Sequence, residues 1–138
     1  MKTNSEQRRV KIISEIHPQH LGSIAEIKRM ILQCKIGGAD FVKLQLYSSK
    51  KLFNNNDRLY LEFSKKEFFE IVKYCKLIDI EIFASIFDKD KIKWCEEAKI
   101  KFYKIASRTL SEDLDLCKKI VNIGKTVFIS LGMYDFKN

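Results

Sequence analysis

Lys35-Ile36-Gly37-Gly38-Ala39-Asp40-Phe41-Val42-Lys43-Leu44-Gln45-Leu46 is the stretch in which one helix stops and a strand begins. The two glycines end a helical pattern as C-terminal glycines do. Beyond them the residues read as a strand from Phe41 to Leu46, where side chains alternate and Lys43 and Gln45 share one face. The glycine pair is a helix stop and not a phosphate-binding loop, because no GxGxxG or P-loop spacing surrounds it.

Working upstream, Ser23 to Ile36 carries Ile24, Ile27, Met30, Ile31 and Cys34 at spacings of three and four, the stripe of an amphipathic helix. Val10 to Ile16 before it reads as a strand, closed by His17-Pro18, where proline removes a ladder donor. Downstream, a loop with the polar tip Asn54 to Asp57 leads to Ser64-Lys65-Lys66-Glu67, a capping box that opens a second helix. Glu81 to Ile86 is a third strand, Asp88 caps a third helix through Ala98, and Phe102 to Ala106 is a fourth strand. Ser111 opens a fourth helix ending at Gly124, and Thr126 to Ser130 is the fifth strand. Strands alternating with helices, joined by connections too long for hairpins, give an α/β fold with a parallel sheet and right-handed crossovers. Periodicity leaves open whether that sheet is flat or an arc of a barrel. Residues 1–9 read as a polar N-terminal tail and residues 10–138 as one domain.

Composition narrows the function classes. The chain has 138 residues, 46% of them hydrophobic, which suits one domain with one core and argues against disorder. No apolar run approaches the roughly 20 residues of a membrane span, and the polar start does not read as a secretory signal. The net charge is +8, yet Lys and Glu are interleaved through 65–73 and 89–99, the pattern of solvated helix faces and not of a nucleic-acid surface. The four cysteines form no CxxC or Cys/His pair and sit at apolar helical positions, so they read as free thiols in a reducing cytoplasm. His17 and His20 lack a third metal ligand and read as a packing or hydrogen-bonding pair in a loop. Trp94 and the aromatic loop with Phe53, Tyr60 and Phe63 read as packing.

Strands of a parallel sheet covered on both faces should be apolar. Here the first ends in Glu15, the second holds Lys43 and Gln45, and the third carries Ser85. The fourth has Lys104 with Ser107 just after it, and the fifth ends in Ser130. Ligands of α/β folds bind at the carboxyl ends of parallel strands, so two lysines and three serines there make a cradle for a phosphate or carboxylate. The alternative is a set of structural ion pairs, with Lys43 on Glu15 and Lys104 on another carboxylate.

Five segments, in order, resemble the sialic acid (N-acetylneuraminate) synthase family: Ser14-Glu15-Ile16-His17-Pro18-Gln19-His20-Leu21-Gly22, Gly37 to Gln45, Ala84-Ser85-Ile86-Phe87-Asp88, Tyr103-Lys104-Ile105-Ala106-Ser107 and Ile129-Ser130-Leu131-Gly132-Met133. The resemblance implies five parallel strands with four intervening helices, an incomplete (β/α)8 TIM barrel, since 138 residues fall well short of the roughly 250 of a complete one. It implies condensation of phosphoenolpyruvate with an N-acetylmannosamine-type sugar to a nonulosonic acid. A divalent metal, Mn or Mg, would polarise the sugar aldehyde, and its ligands are not in this chain. By the same resemblance Glu15 contacts the sugar and assists proton transfer, and Lys43 and Gln45 line the substrate site. Ser85, Lys104, Ser107 and Ser130 hold the phosphate and carboxylate of phosphoenolpyruvate.

The family commonly shows Glu-Ile-Gly-x-Asn-His-x-Gly where this chain has His17, Pro18 and Gln19. Ser85 stands for Thr, Ile86 for Pro and Leu131 for Thr. These departures bear more on the sugar than on phosphoenolpyruvate. The expectation is the N-terminal part of such an enzyme, truncated or encoded in pieces, that self-associates or meets a complementary C-terminal half. Two other classes compete with it: a non-catalytic phosphate-binding or assembly module, and a basic nucleic-acid binder, ranked last for its interleaved charge.

Overall fold

The computed structural model describes residues 10–133; the polar tail at 1–9 lies outside the described residues, as do 134–138. Five strands, β1 (Ile13–Glu15), β2 (Phe41–Leu46), β3 (Glu81–Ile86), β4 (Phe102–Ile105) and β5 (Thr126–Ile129), form one sheet in the order β1-β2-β3-β4-β5. Every neighbouring pair is parallel, with Glu15 opposite Lys43, Gln45 opposite Ser85, and Ser85 opposite Lys104. A doubly wound sheet reverses its strand order at a switch point. This one does not. Successive right-handed crossovers then place every helix on one face and leave the other as the inside of a barrel arc.

The helices are α1 (Ile24–Ile36), α2 (Ser49–Phe53), α3 (Lys65–Leu77), α4 (Lys89–Glu97), α5 (Ser107–Glu112) and α6 (Leu114–Val121), with a 3-10 turn at Leu59–Leu61. Their starts are chemically marked. Ser23 accepts from the Glu26 amide, Ser64 and Glu67 complete a capping box, and Asp88 accepts from Asp90. The first helix ends at Gly37, and Gly38 takes the positive φ of 85° that the turn into β2 requires.

At two of the connections the sequence expectations need correction. The fourth crossover is not one helix opened by Ser111. Asp113 accepts from the Leu116 amide and starts α6, while Ser111 lies inside α5 and donates to the Arg108 carbonyl. The loop after β2 is also not wholly irregular, since it holds α2 and the 3-10 turn around the polar tip. The crossovers therefore contain more than four helices.

Helix-facing side chains of the sheet, among them Val42, Leu44, Ile82, Tyr103 and Ile105, pack with Ile27, Ile31, Phe68, Ile71, Cys95 and Ile120 in one continuous core. Cys75 and Cys95 belong to it as free thiols, and burial pushes both up to about 12, as expected of small hydrophobes. The inner face carries a layer of rings instead: Phe41, Phe83, Phe102 and Phe128, with centroids 5.3–6.3 Å apart. These rings floor the arc beneath the polar strand ends. Among the described residues, no helix is long and apolar enough to cross a membrane.

Candidate active site at the carboxyl ends of the strands

Each inner-face phenylalanine is followed two residues later by a polar side chain on the same face: Lys43, Ser85, Lys104 and Ser130. β1 adds Glu15. The strands thus raise one polar layer above the aromatic floor, at the end of the sheet where α/β folds bind ligands.

Two clusters make up this layer. In the first, Lys43 donates to Glu15 Oε2 and, at 3.2 Å, to Ser85 Oγ. The other carboxylate oxygen of Glu15, Oε1, accepts from the His17 amide at 3.2 Å. Half of the ion-pair alternative therefore holds, because Lys43 does meet Glu15. The second cluster differs. Lys104 donates to Ser130 Oγ and, at 2.8 Å, to the Ile105 carbonyl, and among the described residues it has no carboxylate partner. Burial, and then the positive charge of Lys43, lower its pKa. Lys104 is thus a half-buried cation with only neutral acceptors, and an anion would complete its set of partners.

Ser107 opens α5, and its Oγ would lie 3.6 Å from a Cβ at Gly132, so it sits beside the chain leaving β5 on the Lys104 side. Gln45 lies opposite Ser85 in the register. All seven sequence candidates thus fall along the strand ends, grouped about Lys43 and Lys104. A cavity of about 340 Å³ lined by Val72, Lys76, Ile82, Ala98 and Lys101 lies at the opposite end of β3 and β4 and takes no part.

Sequence reading missed Tyr47. It follows β2, continues the period of Lys43 and Gln45, and its hydroxyl lies 3.3 Å from His17 Nε2. That period was the available signal.

A divalent metal does not fit the described residues. No group of three or more His, Cys, Asp or Glu is placed to hold one, and both ring nitrogens of His17 are taken up by Tyr47 and His20. The histidine pair is, as expected, a hydrogen-bonded pair in a loop.

The chain is similar to several known proteins. An N-acetylneuraminate-9-phosphate synthase of Drosophila melanogaster is 28% identical over 142 residues, covering 90% of this chain and 38% of that protein. An N,N'-diacetyllegionaminic acid synthase of Campylobacter jejuni is 26% identical, covering 91% of this chain and 43% of its own length. The crystal structure of a sialic acid synthetase from Leptospira borgpetersenii, in complex with citrate, superposes with a TM-score of 0.87 at 28% identity, over 93% of this chain and 46% of that one. The chain therefore spans less than half the length of these relatives. A family model described as the NeuB family matches residues 30–138, well over half of the sequence, and the chain belongs to that family.

Proposed function

We propose that this chain supplies the phosphoenolpyruvate-binding half of a sialic acid synthase-like site, which condenses phosphoenolpyruvate with an N-acetylmannosamine-type sugar to a nonulosonic acid. The observation that carries the reading is Lys104, a half-buried cation with only hydroxyl and carbonyl partners, at a strand end facing Lys43. A dianionic phosphate or a carboxylate is the partner that Lys104 lacks. Lys104, Ser107, Ser130 and Ser85 would hold the phosphate and carboxylate, Lys43 and Gln45 would line the substrate site, and Glu15 would face the sugar and assist proton transfer. The Drosophila and Campylobacter relatives are synthases of nonulosonic acids, and the Leptospira relative was crystallised with the carboxylate-rich anion citrate.

In the reaction, C3 of the enol attacks the sugar aldehyde carbon and forms the new C–C bond. Water adds at C2, the C2–O bond to phosphate breaks and C2 becomes a ketone. Of the two protons the water gives up, one goes to the departing phosphate and the other to the former aldehyde oxygen. Glu15, anchored at both oxygens, orients donors around that oxygen. No step is assigned to a metal, since the described residues do not fit one. The reading includes closure of the sheet by further chain, in the same polypeptide or another. Exposed apolar residues at the start of β1 (Ile12, Ile13) and in β5 (Phe128, Ile129) support it. The free, buried thiols support a cytoplasmic setting.

A second reading, a non-catalytic module that keeps the anion cradle, draws on the same Lys104 with its neutral partners. Incubation with phosphoenolpyruvate, N-acetylmannosamine and Mn2+, with phosphate and nonulosonic acid both quantified, separates the two. Equal yields of each support condensation. Phosphate without sugar acid contradicts it, and neither product with retained phosphoenolpyruvate binding assigns the module.

A further inference from the structure

Two imidazoles occupy the loop between β1 and α1, and both are buried, His17 at 3% and His20 at 1% exposure. A buried ring must satisfy both nitrogens, so its tautomer follows from its partners. Here one backbone amide decides all of them. The Gly22 N–H can only donate, and it lies 3.0 Å from His20 Nδ1, which must therefore be the acceptor. The proton of His20 is then on Nε2, 3.1 Å from His17 Nδ1, to which it donates. His17 in turn carries its proton on Nε2 and donates to the Tyr47 hydroxyl 3.3 Å away. The bonds run in one direction, from Gly22 through both rings to β2's C-terminal end.

The same loop controls the site's carboxylate. The His17 amide donates to Glu15 Oε1, so the position of that backbone sets one oxygen of Glu15. The loop is also pressed from outside. Phe63 stacks 5.0 Å from the His20 ring, and at Gly22 (φ +82°) an added Cβ would meet the Tyr60 carbonyl at 2.4 Å.

We infer that His17, His20 and Tyr47 are positioning residues: a one-directional hydrogen-bond relay that latches the loop 16–22 and thereby presents the Glu15 carboxylate to the strand-end site. The inference deepens the reading of Glu15 as a sugar-facing group and rests on it. The latch holds only while both rings are neutral, because a second N–H on either would set donor against donor. Its surroundings oppose that proton. Burial, followed by the charges of His20, Lys43 on β2 and Arg58 before the 3-10 turn, lowers His17 to about 4, and burial lowers His20. The negative groups near the relay are Glu15, whose oxygens are taken up by Lys43 and the His17 amide, and Glu62, which faces Tyr47.

Long-range 1H–15N spectra of the histidines, amide exchange and side-chain carboxyl 13C shifts of the full chain test this. We expect both rings as the Nε2–H tautomer at pH 7, with no protonation of His17 until near pH 4. In Tyr47→Phe and His20→Asn, protection of the His17 amide should fall roughly tenfold or more and the Glu15 carboxyl resonance should move. The Ala84 amide in β3 should keep its protection, which shows that the sheet is intact. An Nδ1–H tautomer at His17, a ring titrating near 6.5, or an unmoved Glu15 resonance in both variants would overturn the relay. Phosphoenolpyruvate calorimetry on the same samples separates the two ideas. Loss of binding by the unsubstituted chain overturns the ligand reading, whereas the tautomers and the Glu15 shift decide the relay.

Discussion

Tyr103 and Lys104 are neighbours in β4 and point to opposite sides of it. Tyr103 faces the helices, is fully buried, and donates its hydroxyl to Glu96 Oε1 at 2.5 Å, while Lys125 meets the same carboxylate at 2.7 Å. Burial, and then that hydrogen bond, push the phenol well above its ordinary range. Lys104 faces the inside of the arc and finds only Ser130 and a backbone carbonyl. On the helix side Tyr103 comes with its own charged partner, so it belongs to the structure. On the inner side the charge of Lys104 is left with neutral acceptors, the imbalance on which the proposed ligand site rests.

The comparison breaks most sharply at Ile105, the next helix-facing residue, which is fully buried. We expect Ile105→Ala to cost about 2–5 kcal/mol by denaturant unfolding, because it leaves a cavity in the core. Lys104→Ala should change stability by less than about 1 kcal/mol, since it removes a cation that burial disfavours. Equal destabilisation by the two would erase the distinction between the faces.

Acid should act next, through the loop above the inner face. An unfolded histidine takes up its proton near 6.5, but His17 does so only at about 4. Across that interval the unfolded chain binds more protons. The contribution of His17 is therefore fully present above 6.5, is lost progressively as pH falls toward 4, and levels off below. Thermal unfolding followed through this window should show Tm falling, and His17→Gln should flatten part of the fall. A smaller effect belongs to Tyr103→Phe. Lys125 still satisfies Glu96, so the loss should be about 1 kcal/mol, read as a shift of the urea midpoint with unchanged slope.

Much of this contrast was legible in the sequence. The ranges of β2 and β3, the capping box at Ser64 and the Asp88 cap all match their reading, because alternation and caps are local signals. β1 is shorter than Val10 to Ile16: its register with β2 runs only from Ile13 to Glu15, and the Ile12 carbonyl accepts from the Phe41 amide at its start. The fourth helix divides because Asp113 competes as a cap within its apolar stripe. The polar strand ends were visible one by one, but their floor was not recognised. Phe41, Phe83, Phe102 and Phe128 each stand two residues before a polar strand-end residue, a spacing that becomes meaningful only when the strands lie side by side. Nor could sequence tell which lysine pairs with a carboxylate, because that depends on Glu15 lying opposite Lys43.

The most direct test of the anion site is calorimetric titration of the chain with phosphoenolpyruvate, beside Lys104→Ala and Ile105→Val. We expect binding by the unsubstituted chain and by Ile105→Val, and a loss of roughly ten- to a hundredfold in Lys104→Ala, the scale of one charge-assisted hydrogen bond. Binding by Lys104→Ala as tight as that of the unsubstituted chain would contradict the assignment of the inner face as the ligand site.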